Sequence, residues 1–128
     1  MIRTRELMLG NWIKYLMEPD VISKPVKIEA IFNQSVEITN GEDGWDVDES
    51  ELLGIPITEE LLKKCGFKEF RRRGGFVAYS DNGYECGTKL VLDHGDYSLV
   101  GINYGLQYLH ELQNAYYMLT KKELEICP

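Results

Sequence analysis

Basic residues are in short supply. The chain of 128 residues carries 14 Lys+Arg against 21 Asp+Glu, a formal net charge of −7. A protein that holds nucleic acid mainly through its phosphates usually has the opposite sign. Cysteine is scarce as well. Cys65, Cys86 and Cys127 are odd in number and far apart, and no Cys-x-x-Cys occurs. That excludes the zinc-knuckle and redox-dithiol signatures, and a secreted disulfide framework would leave one thiol over. Three reduced thiols in a reducing compartment are expected. Long apolar runs are missing too, none approaching the roughly 18–20 residues that span a bilayer. Arg3 and Arg5 precede no apolar core, because Gly10-Asn11 and Lys14 interrupt the apolar residues behind them. A signal peptide is not indicated, and the expectation is a soluble cytoplasmic protein with no membrane partner.

Glycine-rich phosphate loops and the Gly-x-Ser-x-Gly elbow are also absent, so no nucleotide or serine-hydrolase fingerprint points to an enzyme. No cofactor is implied. What is present is the composition of a globular domain, 44% hydrophobic and 27% charged, in a chain long enough for one core. A single α+β domain over 1–128 is expected, with a β-meander over 1–41, an acidic loop over 42–54, and helix, hairpins and a C-terminal helix over 55–128.

The first forty residues read as strands. Leu7, Leu9, Trp12 and Tyr15 sit among polar positions, with Gly10-Asn11 as a bend, and Glu18-Pro19-Asp20 is turn chemistry. Residues 25–31 and 36–38 alternate apolar and charged side chains, the period-two mark of a half-buried strand. A small SH3-like barrel is one completion of such a meander. Residues 42–51 hold six acids and no base. They read as a solvated loop, a cation site or an acidic docking surface. The EF-hand spacing fails, since Glu51 and Ile57 stand where glycine and glutamate are required. Trp45 is the one aromatic in this run, a candidate binding residue or a cap on the barrel edge.

Helix signals converge on residues 58–66. Thr58 is an N-cap, Glu59 and Glu60 suit the positive end of the dipole, and Lys63 and Lys64 the negative end. Ile57 and Leu62 occupy staple positions, and Gly66 a C-terminal stop ahead of Phe67. Downstream, Phe76–Tyr79, Lys89–Leu92 and Tyr97–Val100 read as a three-stranded antiparallel meander. Its turns are Asp81-Asn82-Gly83 and Asp93-His94-Gly95-Asp96. Leu106, Leu109, Leu112, Tyr116 and Leu119 recur at helical spacing, broadened by Tyr108, Ala115 and Met118. Thr120-Lys121-Lys122-Glu123 fits a capping box for a last short turn containing Leu124.

The segment Gln107–Leu124 resembles the C-terminus of small uncharacterised proteins of Bacteroides-type bacteria and their phages and mobile elements. Those end in a Tyr-[Val/Leu]-His-x-Leu-Gln-Asn-x-Tyr/Phe helix. Arg5–Ile13, Ile55–Leu62 and Gly66-Phe67 are similar to their opening strand and central helix. Leu109 and Glu111 stand here where that family has valine and glutamine, and Ala115 where a larger apolar residue is common. The resemblance implies a bacterial, intracellular or phage-linked setting. The family has no assigned activity, so no catalytic residues follow from it.

Three function classes remain. A non-enzymatic interaction module is favoured, pairing with itself through the aromatic C-terminal helix or with another protein, with Tyr117 as a contact residue. A nucleic-acid module would use Arg71, Arg72 and Arg73 with Phe70, Phe76 and Trp12; the bland alternative is an exposed strand end or turn. A small enzyme would centre on His110 with Gln113 and Asn114, borrowing a carboxylate from another element. His94 with Asp93 and Asp96 has the residue types of a metal site, but on a turn that splays them.

Overall fold

The computed structural model describes residues 2–83, 87–126 and 128. Within the span expected to be one domain, the chain divides into two compact units, Met1–Ile55 and Pro56–Pro128.

Alternation of apolar and polar residues builds the first unit. A 3-10 turn at Thr4–Glu6 leads to β1 (Trp12–Glu18), which turns back as the short β2 (Val21–Ile22). β3 (Val26–Ile31), β4 (Ser35–Thr39) and β5 (Gly44–Asp48) follow. A second 3-10 turn at Glu49–Glu51 then delivers β6 (Leu52–Leu53). The strands lie in the order β2-β1-β3-β4-β5, with β6 returning to pair β1, all antiparallel. Opposed residues of antiparallel strands share a face. The pairs Ile13↔Val26, Ile28↔Ile38, Val36↔Val47 and Tyr15↔Leu52 therefore line one side, and all eight residues are buried in one cluster with Ile2 and Leu7. The return of β6 through a 3-10 turn to pair β1 curls the sheet into a half-barrel.

Two expectations for this unit need correction. The segment before Gly10 is a 3-10 turn followed by irregular chain, and the strand begins at Trp12. The Gly10-Asn11 bend is present: Gly10 has φ of 88°, and the Asn11 side chain accepts a hydrogen bond from Met8 N at 2.8 Å. The acidic segment is a strand and a 3-10 turn, with no loop over 44–51. Trp45 and Val47 face the core while Gly44, Asp46 and Asp48 face water. The acids are the wet half of a period-two pattern too short on apolar residues to be noticed.

The second unit opens with α1 (Glu59–Lys64). Thr58 Oγ1 accepts a hydrogen bond from Leu61 N at 3.1 Å, the expected cap. Gly66 takes φ of 87°, and Phe67 N donates to Leu62 O at 3.0 Å, which closes the helix end. β7 (Lys68–Arg73), β8 (Phe76–Ser80), β9 (Lys89–Asp93), β10 (Asp96–Leu99) and β11 (Gly105–Leu106) follow, then α2 (Leu109–Thr120). The sheet runs β11-β10-β9-β8-β7. The expected three-stranded meander is thus the middle of five strands. The β9–β10 turn is a two-residue hairpin with His94 and Gly95 both at positive φ. The connection from β8 to β9 covers residues 81–88, longer than an Asn-Gly turn, and residues 84–86 lie outside the described residues. So do Cys86 and Cys127.

Register again sets the core. Tyr79↔Leu90↔Leu99 and Val77↔Leu92↔Tyr97↔Leu106 form one face. α2 packs against β10, with Leu109, Leu112 and Ala115 fully buried. The expected helical stripe is corrected at both ends. Leu106 belongs to β11, and Met118 and Leu119 are exposed. The Thr120 capping box starts no new turn. Lys121 ends α2 at φ of 61°, and the Thr120 hydroxyl instead accepts from Lys122 N at 3.1 Å and donates to Tyr116 O at 2.8 Å. Among the described residues no helix is long and apolar enough to cross a membrane.

The Thr58 cap should be measurable. Thr58→Ala is expected to lower unfolding free energy by about 1 kcal/mol, read by urea denaturation followed by far-ultraviolet circular dichroism. Tryptophan fluorescence is unsuited, because Trp12 and Trp45 both lie in the first unit.

Candidate functional site

One extra residue in β7 organises the polar centre of the second unit. Glu69 pairs Tyr79, but the next pairs are Arg71↔Ala78, Arg72↔Val77 and Arg73↔Phe76. Phe70 is therefore bulged. In a regular strand residues 69 and 72 would point to opposite faces. The bulge resets the alternation and puts Glu69 and Arg72 together on the Val77–Tyr79 side. Arg71 and Arg73 face the other way, with Ala78 and Phe76. The three arginines are exposed, but they form no single patch.

Arg72 is held by two carboxylates. Its Nε donates to Glu69 Oε1 at 2.7 Å and its Nη2 to Glu59 Oε1 at 2.9 Å. Glu59 Oε1 also accepts from the Tyr79 hydroxyl at 2.6 Å. Glu59 stands at the start of α1, so the cluster clasps that helix to β7 and β8. A cavity of about 420 Å3 lies beside it, its lining completed by Lys63, Phe67 and Lys68. The Tyr79 and Arg72 hydrogen bonds hold the Glu59 carboxyl below its ordinary range. The same carboxylates, Glu69 first, hold Arg72 more firmly cationic. Burial, then the Glu59 carboxylate, pushes Tyr79 and Tyr97 upward. The arrangement neutralises charge and fixes α1 over β7 and β8. With side chains about half exposed, the ion pairs contribute little stability each.

A second cavity, about 610 Å3, is lined by residues including Cys65, Asp81, Tyr116 and Leu124. The Tyr116 hydroxyl donates to Asp81 Oδ2 at 2.9 Å, and burial with that contact pushes the phenol up to about 12. Cys65 is buried, and burial pushes its thiol up to about 12.

The remaining residues singled out by sequence are dispersed. His110 is 1% exposed, on the core side of α2 with Gln113, and its ring stacks on Tyr108 at 5.9 Å. Asn114 is half-buried, and Tyr117 is exposed. His94 sits in the β9–β10 turn, exposed, its Nδ1 at 2.6 Å from Asp93 Oδ1. Among the described residues no group of three or more His, Cys, Asp or Glu side chains is gathered to hold a metal ion. In the first unit, Trp45 is half-buried, edge-on to Tyr15 at 6.2 Å, and its Nε1–H donates to the Tyr15 hydroxyl at 3.0 Å. It anchors the core rim. Trp12 lies under Lys27 Nζ, 5.9 Å from the ring centroid.

Sequence reasoning missed Glu69, Tyr79 and the clasping role of Glu59, because the bulge that assembles them has no linear signature. It also undervalued Glu111. That carboxylate accepts from Tyr108 N at 2.9 Å and Gln107 N at 3.1 Å, satisfying amides at the start of α2. Its place at the third helical position was the available signal.

Two outcomes follow from these environments. Cys65 in the folded protein should resist iodoacetamide at pH 8 and label fully in denaturant, mapped by peptide mass spectrometry. Glu59 is depressed in the folded state, so its contribution is present above its ordinary value of 4.5 and lost as pH falls through the folded value. Glu59→Gln should therefore flatten the fall of urea stability below pH 4.5 relative to the parent chain.

No family model, curated protein or solved structure matches the chain.

Proposed function

We propose that the chain is a non-enzymatic protein-interaction module, and that two copies associate through the outer side of α2. The observation that carries this reading is the last turn of α2. Tyr117, Met118 and Leu119 are 38%, 56% and 39% exposed. A helix whose only task is to cover a sheet keeps such side chains off its wet face. The apolar surface continues beyond the helix. Leu119 Cδ2 would lie 3.0 Å from a Cβ placed at Gly101, and the neighbouring Val100 is 53% exposed. Contiguous exposed apolar surface of this kind marks association sites, and tyrosine is well suited to them.

The polar cluster at Glu59, Glu69, Arg72 and Tyr79 is compatible with the non-enzymatic reading, since its hydrogen bonds tie α1 to the sheet. The arginine run favours nucleic acid less than its sequence suggests, because Arg72 is committed to two carboxylates and Arg71 and Arg73 face away from it. The setting we favour is the cytoplasm of a bacterial cell, as part of a phage-linked or accessory system.

Sedimentation velocity at micromolar protein tests the proposal. A dimer is expected, weakened at least about tenfold by Met118→Asp with an unchanged circular dichroism spectrum. A parent chain that stays monomeric across the concentration range overturns it.

A further inference from the structure

The two sheets end in strands of opposite charge. β5 and β7 are each the outermost strand of their sheet. Such a strand presents a row of backbone donors and acceptors that can pair with another chain. The other terminal strands, β2, β6 and β11, are two residues long, too short to template much. β5 and β7 are five and six residues long.

The β7 edge is cationic. On β7 itself Lys68, Arg71 and Arg73 are exposed, while Arg72 and Glu69 of the same strand pair with one another. The β5 edge is anionic. Asp46 and Asp48 face water, and Asp46 stands directly opposite Glu37 on β4. Like charges placed so are destabilising. A Cβ at Gly44 would lie 3.5 Å from Glu37 Oε1 and 3.8 Å from Glu29 Oε2, so a third carboxylate crowds the same strand. Charge on an edge strand normally guards it against pairing. Here the guard works only between like edges. β5 against β5 sets acid on acid, and β7 against β7 sets base on base. β5 against β7 sets acid on base and relieves the crowding at Glu37 and Asp46.

We propose that the β7 edge of one copy takes the β5 edge of a second copy by strand addition, with Arg71 and Arg73 meeting Glu37 and Asp46. The contact joins different surfaces, so it is heterologous. Each added copy leaves one edge of each kind exposed, and assembly grows with concentration unless the ends close on one another. This goes beyond association through α2 and uses other residues, so either can fail without the other.

Salt separates the two. Screening shortens from about 10 Å at 0.1 M to about 3 Å at 1 M, which weakens a charged contact and spares an apolar one. Sedimentation velocity of the full chain in 0.05 M and 1 M salt should show species larger than a dimer only at low salt. The Met118→Asp variant should keep that salt-sensitive step. Arg71→Glu/Arg73→Glu and Glu37→Lys/Asp46→Lys should each abolish it alone, and an equimolar mixture of the two should restore species larger than a dimer, with the two variants in equal proportion. Two results would overturn the proposal. One is a parent chain whose size is the same at both salt concentrations. The other is a mixture of the two variants, each with the parent's circular dichroism spectrum, that forms nothing larger than a dimer at low salt.

Discussion

A strand's pleat sends successive side chains to opposite faces, and in this chain that constraint decides almost everything downstream. It places Ile13, Tyr15, Val26, Ile28, Val36, Ile38 and Val47 on one side of the first sheet, and it leaves the carboxylates of β4 and β5 on the other. In the second sheet it stacks Val77 and Tyr79 with Leu90, Leu99 and Leu106 beneath the helices. A one-residue slip anywhere would exchange core for surface. Yet each sheet contains such a slip. The extra residue is Glu29 in β3 and Phe70 in β7, besides one where β1 turns into β2. The first lets both Ile28 and Ile31 face the core. The second gathers Glu69 and Arg72 beside Tyr79. Bulges here are the means by which the sequence departs from strict alternation without losing a core.

The clasp at Arg72 shows how modest interactions settle local geometry. Surface ion pairs between half-exposed partners contribute little to stability. What they do is choose. A six-residue helix such as α1 has no stability of its own, and its orientation over the sheet has to be set by contacts. Leu61, Leu62 and Phe67 supply the apolar burial. That burial is non-directional. The short hydrogen bonds of Glu59 to Tyr79 and Arg72 add direction.

Local chemistry was the legible part of the sequence. Thr58, Gly66, Asn11 and the His94-Gly95 turn act where their own side chains or φ preferences place them. α1 and most strands followed from those signals with periodicity. What escaped were features that depend on a partner strand. The acid-rich run hid β5, because only Trp45 and Val47 mark its core side and their meaning requires β4 across from them. Lys68–Arg73 concealed an edge strand for the same reason, since its inward residues are few and its outward ones charged. The far end of α2 was over-read. Leu119 continues the helical spacing, but spacing cannot say where the sheet beneath the helix stops.

The candidate site was less legible still, and the reason is physical. A histidine, two amides and three arginines are conspicuous by type, yet type does not determine access. His110 and Gln113 lie on the same side of α2 as Leu109, where solvent hardly reaches them. An imidazole that is 1% exposed meets its own fold before it meets a solute, and its stacking on Tyr108 is a packing contact of the helix entry. The groups that do face water are the apolar ones at the end of α2 and the charged ones along β5 and β7. With His110 and Gln113 turned inward, the association proposed through α2 draws on the apolar side chains that remain outside.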